Sequence, residues 1–333
     1  MRELVCRWCG ASGDPEDFET DTQYEKGFWC PDCDSFTFYN EKDQETHRML
    51  LLLEQGGADY EPGPSVPTGL RKRLSPLRYP GGKSKLIDFI YQRLQGDQMD
   101  TFVEVFAGGA SLGLSLLDAG KINRLVLNDL DPAVYAFWHT VLNHPDFLRE
   151  KLDGDKPTLQ DFWESKQYLS YADTLVKEHS GRLSLAWSFL LLNRTCFSGI
   201  VMANPMGGKK GGESYLSRWN PSALGKRIRR IADLAPKIEI CRMDCCELVE
   251  DIAYWYPSAT LFVDPPYYEK GPALYPTAFA RGDHERLAAT LNALYTGMPG
   301  PDIIITYDDQ PEIRKLYPYA QVEEVKRAYS IAN

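Results

Sequence analysis

Short apolar runs recur through the chain: Thr101–Val105, Arg124–Asn128, Lys237–Arg242, Thr260–Val263 and Ile303–Tyr307. Their length and apolar content predict buried strands. Between them lie stretches with helical spacing, at about 84–95, 111–119, 132–192, 226–234, 245–256, 283–294 and 311–317. Within the long stretch, Leu183–Leu192 is apolar nearly all round and is expected to be buried. Trp138, Phe147, Phe162, Trp163 and Trp187 are expected in the core with it. A last strand region is expected over 322–331. Strands alternating with helices predict an α/β fold: a Rossmann-like sheet with helices on both faces. Upstream, Asn40 is placed to cap a helix over 41–54, and residues 55–69, with four glycines and three prolines, read as a linker. The domains expected are 1–40, the helix 41–54, the linker 55–70, a core from 71–140 and 235–333, and a helical region 141–234.

The strand ends carry the chemistry. Leu261-Phe262-Val263 stops at Asp264-Pro265-Pro266-Tyr267, because prolines cannot donate ladder hydrogen bonds. The Asp264 carboxylate and the carbonyls of Asp264 and Pro265 accept and do not donate. Such a corner suits a flat group with an exocyclic N–H2, and Tyr267 offers a face to stack on. An adenine turned out of a duplex is such a group. The bland alternative is a Pro-Pro loop that happens to begin with Asp.

The strand Thr101–Val105 leads into Phe106-Ala107-Gly108-Gly109-Ala110-Ser111, a small-residue turn before a helix. Backbone amides and a helix N-terminus there suit a nucleotide ligand. The pattern is not Gly-x-Gly-x-x-Gly, which counts against a nicotinamide cofactor. Asp129 follows the next strand about 20 residues later, the spacing of an acid that accepts from ribose hydroxyls. Its alternative, a helix cap, falls more naturally to Asp131 before Pro132. Asp244 ends a third strand and could meet an adenine amino group. The turn Tyr79-Pro80-Gly81-Gly82-Lys83 either approaches a ligand closely or is a plain turn before a helix.

Composition changes the picture in two places. The net charge is −10, with 43% hydrophobic and 25% charged residues, no membrane-length apolar run and no secretory leader, so an intracellular, cytoplasmic protein is expected. Charge is local, however: Pro205–Arg230 holds Lys209, Lys210, Arg218, Lys226, Arg227, Arg229 and Arg230 against one acid, Glu213. A long glycine-rich loop needs a reason inside a compact domain. Residues 195–230 are therefore read as facing DNA, with a solvated basic face as the alternative. Cys6-x-x-Cys9 and Cys30-x-x-Cys33 have the spacing of a structural four-thiolate zinc site in a small ribbon, with redox dithiols or no metal as the alternatives. Its acidic loop, Asp14 to Glu25, favours a protein partner or domain packing at least as much as DNA. The other cysteines, Cys196, Cys241, Cys245 and Cys246, are expected to be structural thiols.

Taken together, these motifs resemble the DNA adenine N6-methyltransferases of the Dam type. The matching features run in family order: Tyr79 to Lys83, Val103-Glu104-Val105-Phe106-Ala107-Gly108-Gly109, Asn128-Asp129, Asn193-Arg194-Thr195-Cys196-Phe197-Ser198-Gly199, Asp264 to Tyr267, Ile304-Ile305-Thr306-Tyr307 and Tyr329-Ser330. They cover about residues 74–333. The resemblance implies S-adenosylmethionine as cofactor and methylation of adenine in double-stranded DNA. It implies cofactor contacts from Tyr79, Lys83, Phe106, Ala107, Gly108, Gly109, Asp129, Asp244, Cys245 and Asp264, and catalysis by Asp264, Pro265, Pro266 and Tyr267. Asn193, Arg194, Ser198, Lys209, Lys210 and Arg218 are the expected DNA contacts. The N-terminal cysteine ribbon is outside the usual family domain, and the stretch after Gly199 does not resemble that of enzymes reading GATC. Family members usually run further than Asn333, so either the last strand is shortened or the sequence is cut short there. Rival readings are a methyltransferase on RNA adenine or a protein amide, and a non-catalytic DNA-binding scaffold that keeps the fold.

Overall fold

The computed structural model describes residues 70, 74–78, 83–94, 99–154, 156–212, 214–256, 258–268, 279–297 and 301–325, with five short N-terminal strands. Of those strands, β1 (Leu4–Val5) pairs antiparallel with β2 (Ser12–Gly13). Likewise β3 (Glu19–Thr20), β4 (Gly27–Trp29) and β5 (Phe36–Phe38) form an antiparallel sheet. Cys6, Cys9, Cys30 and Cys33 lie outside the described residues. So do the expected helix 41–54, the linker 55–69, Tyr79 to Gly82, residues 269–278, and Tyr329 and Ser330.

The main body is a five-stranded parallel sheet: β6 (Met99–Glu104), β7 (Ile122–Asn128), β8 (Ile238–Cys241), β9 (Thr260–Val263) and β10 (Asp302–Ile305), in the order β10-β9-β6-β7-β8. Successive side chains on a strand point to opposite faces, and two cores follow from that alternation. Phe102, Leu125, Leu127 and Phe262 pack with Phe137, Trp138 and Leu190 on one face. Val103, Val105, Val126, Leu261 and Val263 pack with Leu248, Val249, Leu287 and Ile313 on the other. Helices from Ser111–Asp118 to Pro221–Leu234 therefore cover the first face, while Cys245–Trp255, Arg281–Gly297 and Pro311–Leu316 cover the second. From β6 the chain steps outward through β7 to β8, then returns to the other side of β6 as β9. That reversal makes the carboxyl ends of β6 and β9 a topological switch point, where open α/β sheets bind ligands.

Several boundaries differ from the sequence reading. The stretch 132–192 is five helices: Pro132–Asn143, Pro145–Leu152, Leu159–Ser170, Ala172–Leu175 and His179–Thr195. Prolines at first-turn positions open two of them, and a reciprocal Thr158–Asp161 capping box opens a third. Trp163 is 43% exposed, so it is not a core residue. The helix after Lys83 is a 3₁₀ turn, Lys83–Leu86, followed by Ile87–Tyr91. The basic helix begins earlier than expected, at Pro221, because the Asn220 side chain accepts from the Ala223 amide. Residues 321–325 are irregular rather than the start of a strand.

Candidate active site

The cavity at the switch point has a volume of about 260 Å³. Its wall brings together Lys83, Phe106, Ala107, Gly108, Gly109, Asp129, Asp244, Cys245, Asp264 and Pro266, residues picked from five separate stretches of the sequence. Tyr79 lies outside the described residues.

The turn after β6 is built for close approach. Gly108 and Ala110 both take left-handed backbone angles, φ 44° and 48°. Glycine does so without penalty, whereas at Ala110 the conformation is strained. Two hydrogen bonds hold it: the Ala107 N–H donates to the Asn128 carbonyl at 2.7 Å, and the Trp138 indole N–H donates to the Gly108 carbonyl at 2.9 Å. Asn128 clips three strand ends. Its amide donates to the Val105 and Met243 carbonyls and accepts from the Met243 N–H.

Two buried acids line the cavity. Glu104, at the end of β6, accepts from the Gly113 amide at 2.5 Å, reaching across the turn to the first helical turn beyond it. A Cβ on Gly113 would stand 2.4 Å from Leu125 Cδ1 and 2.8 Å from Glu104 Oε1, which explains the glycine. Burial pushes the Glu104 carboxyl up to about 8, with further upward pressure from Asp264, against lowering by the Gly113 amide and Lys83. Asp129 accepts from the Gly108 and Asp131 amides at 2.9 and 3.0 Å. Burial, with Asp131 adding to it, pushes Asp129 up to about 7. Asp131 itself caps the helix Pro132–Asn143.

Asp244 is more committed than its sequence position suggests. Its carboxylate takes both Arg286 guanidinium nitrogens, at 2.8 and 2.5 Å, and caps the helix Cys245–Trp255. The Arg286 bonds hold its carboxyl below the usual range. Cys196, Cys245 and Cys246 are buried and Cys241 is half-buried. Burial raises the thiols of Cys196 to about 12 and Cys241 to about 11, and raises Cys245 further, so none of these three is a ready nucleophile.

At the other wall, Asp264 is 20% exposed and faces the cavity. Lys83, 6% exposed, donates to its Oδ2 at 2.5 Å, and the Thr306 hydroxyl donates to its Oδ1 at 2.7 Å. The Lys83 ammonium also lies 5.4 Å from the centre of the Tyr267 ring. Sequence reasoning singled out neither Glu104, Arg286 nor Thr306 for a role. A glutamate inside an apolar strand was the one available signal; the other two meet the site only through the fold.

The loop after His179–Thr195 is braced from within. Asn193 bonds the Arg78 backbone, N–H and carbonyl, and the Gly199 carbonyl. Arg194, 1% exposed, donates through Nε and Nη2 to the Arg218 carbonyl. Both side chains are therefore inside the protein and hold the loop, in place of the direct DNA contacts expected of them. Lys166 donates to the Val201 and Ala203 carbonyls. Outward the loop presents Phe197, 47% exposed, and Met202, 65% exposed, with Ser198 between them in a left-handed conformation, φ 54°. Lys209 and Lys210 are exposed and Arg218 half-exposed. In the following helix Arg230 pairs with Asp118 at 2.7 Å and Arg227 reaches the Ser75 carbonyl, so part of the basic run is structural.

The residues fit S-adenosylmethionine, the cofactor that the resemblance implies: a glycine turn that admits a ligand closely, and the Asp264 carboxylate facing the same cavity. Among the described residues, no helix is long and apolar enough to cross a membrane.

The chain resembles the type II methyltransferase M.MjaIII of Methanocaldococcus jannaschii, at 23% identity over 203 residues, 57% of this chain and 68% of that protein. It resembles the DNA N-6-adenine-methyltransferase of Escherichia phage P1 at 25% identity, over 72% of this chain but 30% of that protein. A third relative, the type II methyltransferase M.FokI of Planomicrobium okeanokoites, is 33% identical over 28% of this chain and 15% of its own length. Residues 79–331 match one family throughout, and the chain belongs to the D12 class N6 adenine-specific DNA methyltransferases.

Proposed function

We propose that the protein is a site-specific, Dam-type enzyme that transfers a methyl group to N6 of an adenine flipped out of double-stranded DNA. The observation that carries this reading is the acceptor corner at Asp264 opening into the same cavity as the glycine turn. The adenine amino nitrogen is a poor nucleophile because its lone pair is spread into the ring. Asp264 and the Pro265 carbonyl accept hydrogen bonds from its two N–H groups, drawing the lone pair back onto nitrogen and favouring the positive charge that develops there. Pro266 shapes the corner, and Tyr267 stacks on the flipped base, offsetting part of the few kcal/mol, roughly, that flipping costs. S-adenosylmethionine supplies, when bound, an activated methyl group. Phe106, Ala107, Gly108 and Gly109 line its place, Asp129 accepts from ribose hydroxyls, and Asp244, Cys245 and Lys83 complete the wall. Tyr79 contributes from the preceding turn. No covalent enzyme intermediate is required.

In this reading residues 71–140 and 235–333 form the catalytic domain and 141–234 the target-recognition region. Ser198, Lys209, Lys210 and Arg218 face the duplex on the braced loop, while Asn193 and Arg194 support it. The N-terminal segment is a zinc ribbon with Cys6, Cys9, Cys30 and Cys33 as ligands, and its acidic loop serves a protein partner. Two pairings support it. Val5 lies opposite Ser12, and Trp29 opposite Phe36, so each Cys-x-x-Cys pair falls in sequence between two paired antiparallel strands. The enzyme works in the cytoplasm.

The test is a tritiated-methyl transfer assay on double-stranded DNA, RNA and protein, with the labelled nucleoside identified after digestion. N6-methyladenine from duplex DNA is expected; label confined to RNA or protein would overturn the substrate assignment.

A further inference from the structure

The parallel pairing of β9 with β10 sets Ile305 opposite Val263. The ladder continues one step, with the Thr306 amide donating to the Val263 carbonyl at 2.9 Å. The first residue beyond each strand is thereby set beside its counterpart, Asp264 by Thr306. The Thr306 hydroxyl takes Oδ1 of the carboxylate and the Lys83 ammonium takes Oδ2. The two donors come from different parts of the fold and hold the carboxylate from two sides. The neighbouring Tyr307 is anchored in turn, its hydroxyl 2.8 Å from Nδ1 of the buried His284.

The two holds differ in stiffness. The terminal torsion of an aspartate is broad, so a carboxylate without partners turns freely. Threonine is β-branched, with few χ1 choices, and its backbone is fixed by the ladder. Lysine carries its charge on a flexible four-carbon stem and can yield to an incoming ligand.

We propose that Thr306 is a positioning residue for methyl transfer: it sets the plane of the Asp264 carboxylate so that the remaining lone pairs meet the amino group of the target base. The inference rests on the reading of Asp264 as the acceptor of that amino group. Misplacing a reacting group by about 1 Å costs on the order of 100-fold in rate, and a carboxylate free to rotate moves its oxygens by that much.

The experiment compares Thr306→Val, which keeps the shape and loses the hydroxyl, with Thr306→Ser, which keeps the hydroxyl. Single-turnover methyl transfer is measured on duplex DNA beside cofactor affinity by calorimetry. Thr306→Val is expected to slow the chemical step on the order of 100-fold with cofactor affinity unchanged, and Thr306→Ser to restore most of the rate. Wild-type turnover in the valine variant, a rate loss matched by equal loss of cofactor affinity, or a serine variant as slow as valine would each overturn the proposal. If thermal melting shows that the valine variant is unfolded, Thr306→Ala takes its place in the same comparison. Asp264→Asn is measured alongside. Retained activity there refutes the acceptor reading itself, whereas an inactive Asp264→Asn with a wild-type Thr306→Val refutes the Thr306 proposal alone.

Discussion

Glu104 shows how one residue links the strand to the site. It sits at the end of β6, where a purely apolar strand needs no acid, and it ties the strand to the helix beyond the glycine turn through the Gly113 amide. Its carboxyl is raised to about 8 in the folded protein, chiefly by burial, from an ordinary 4.5. A raised acid stabilises the fold fully below its unfolded value and loses that contribution as pH climbs through the folded one. Asp129, raised to about 7, acts in the same direction. The cofactor-free protein is therefore expected to lose stability from about pH 4.5 to about pH 8 on account of Glu104. Glu104→Gln keeps an acceptor for the Gly113 amide and should flatten that decline, as read by denaturant unfolding at a series of pH values. An unchanged pH slope would show that Glu104 ionises freely in the fold. The chain announced Asp264 and Asp129 through local motifs, a Pro-Pro stop and a fixed distance from a glycine turn. Arg286 gave no local sign, and Thr306 stood only inside the matching run Ile304-Ile305-Thr306-Tyr307 with no role of its own, since their partners stand 42 residues away in each case.

At the scale of elements, the inner strands were legible because strands buried on both faces are written as continuous apolar runs, while the edge strands β8 and β10 are only part-buried. All five sheet strands fell where those runs lie. The helical region was read as one stretch because helical periodicity carries across short breaks, and the proline and Thr158–Asp161 starts that divide it were passed over. The loop between His179–Thr195 and Pro221–Leu234 was marked by composition, but composition did not separate outward from inward cations. Arg194 is buried as a brace, while Lys209 and Lys210 are exposed. The exposed pair carries the electrostatic prediction. Changing Lys209→Glu with Lys210→Glu should weaken DNA binding and lower the salt slope by roughly 0.9 for each lysine that meets a phosphate. Binding isotherms across a salt series would read this, and identical slopes would remove the loop from the interface.

For the whole molecule, the strand order brings the design together. Turning back from β8 to β9 puts the glycine turn after β6 beside the acceptor corner after β9. A nucleotide-like cofactor and a flipped base can then share one cavity while a separate loop meets the duplex. In the proposed reading the N-terminal cysteines serve zinc rather than methyl transfer, and a segment of that size cannot rest on its own hydrophobic core. Metal analysis of the purified protein should therefore find one zinc per chain, lost in a Cys30→Ser, Cys33→Ser variant that still binds cofactor. Metal-free wild-type protein would contradict the ribbon.

The central claim is that the Asp264 carboxylate activates the amino group of adenine. It is tested most directly by Asp264→Ala in a tritiated-methyl assay on duplex DNA, with cofactor binding followed by calorimetry on the same sample. The expected result is a folded variant that transfers no measurable methyl group even at cofactor concentrations that saturate it. Turnover near the wild-type rate in that variant would contradict it.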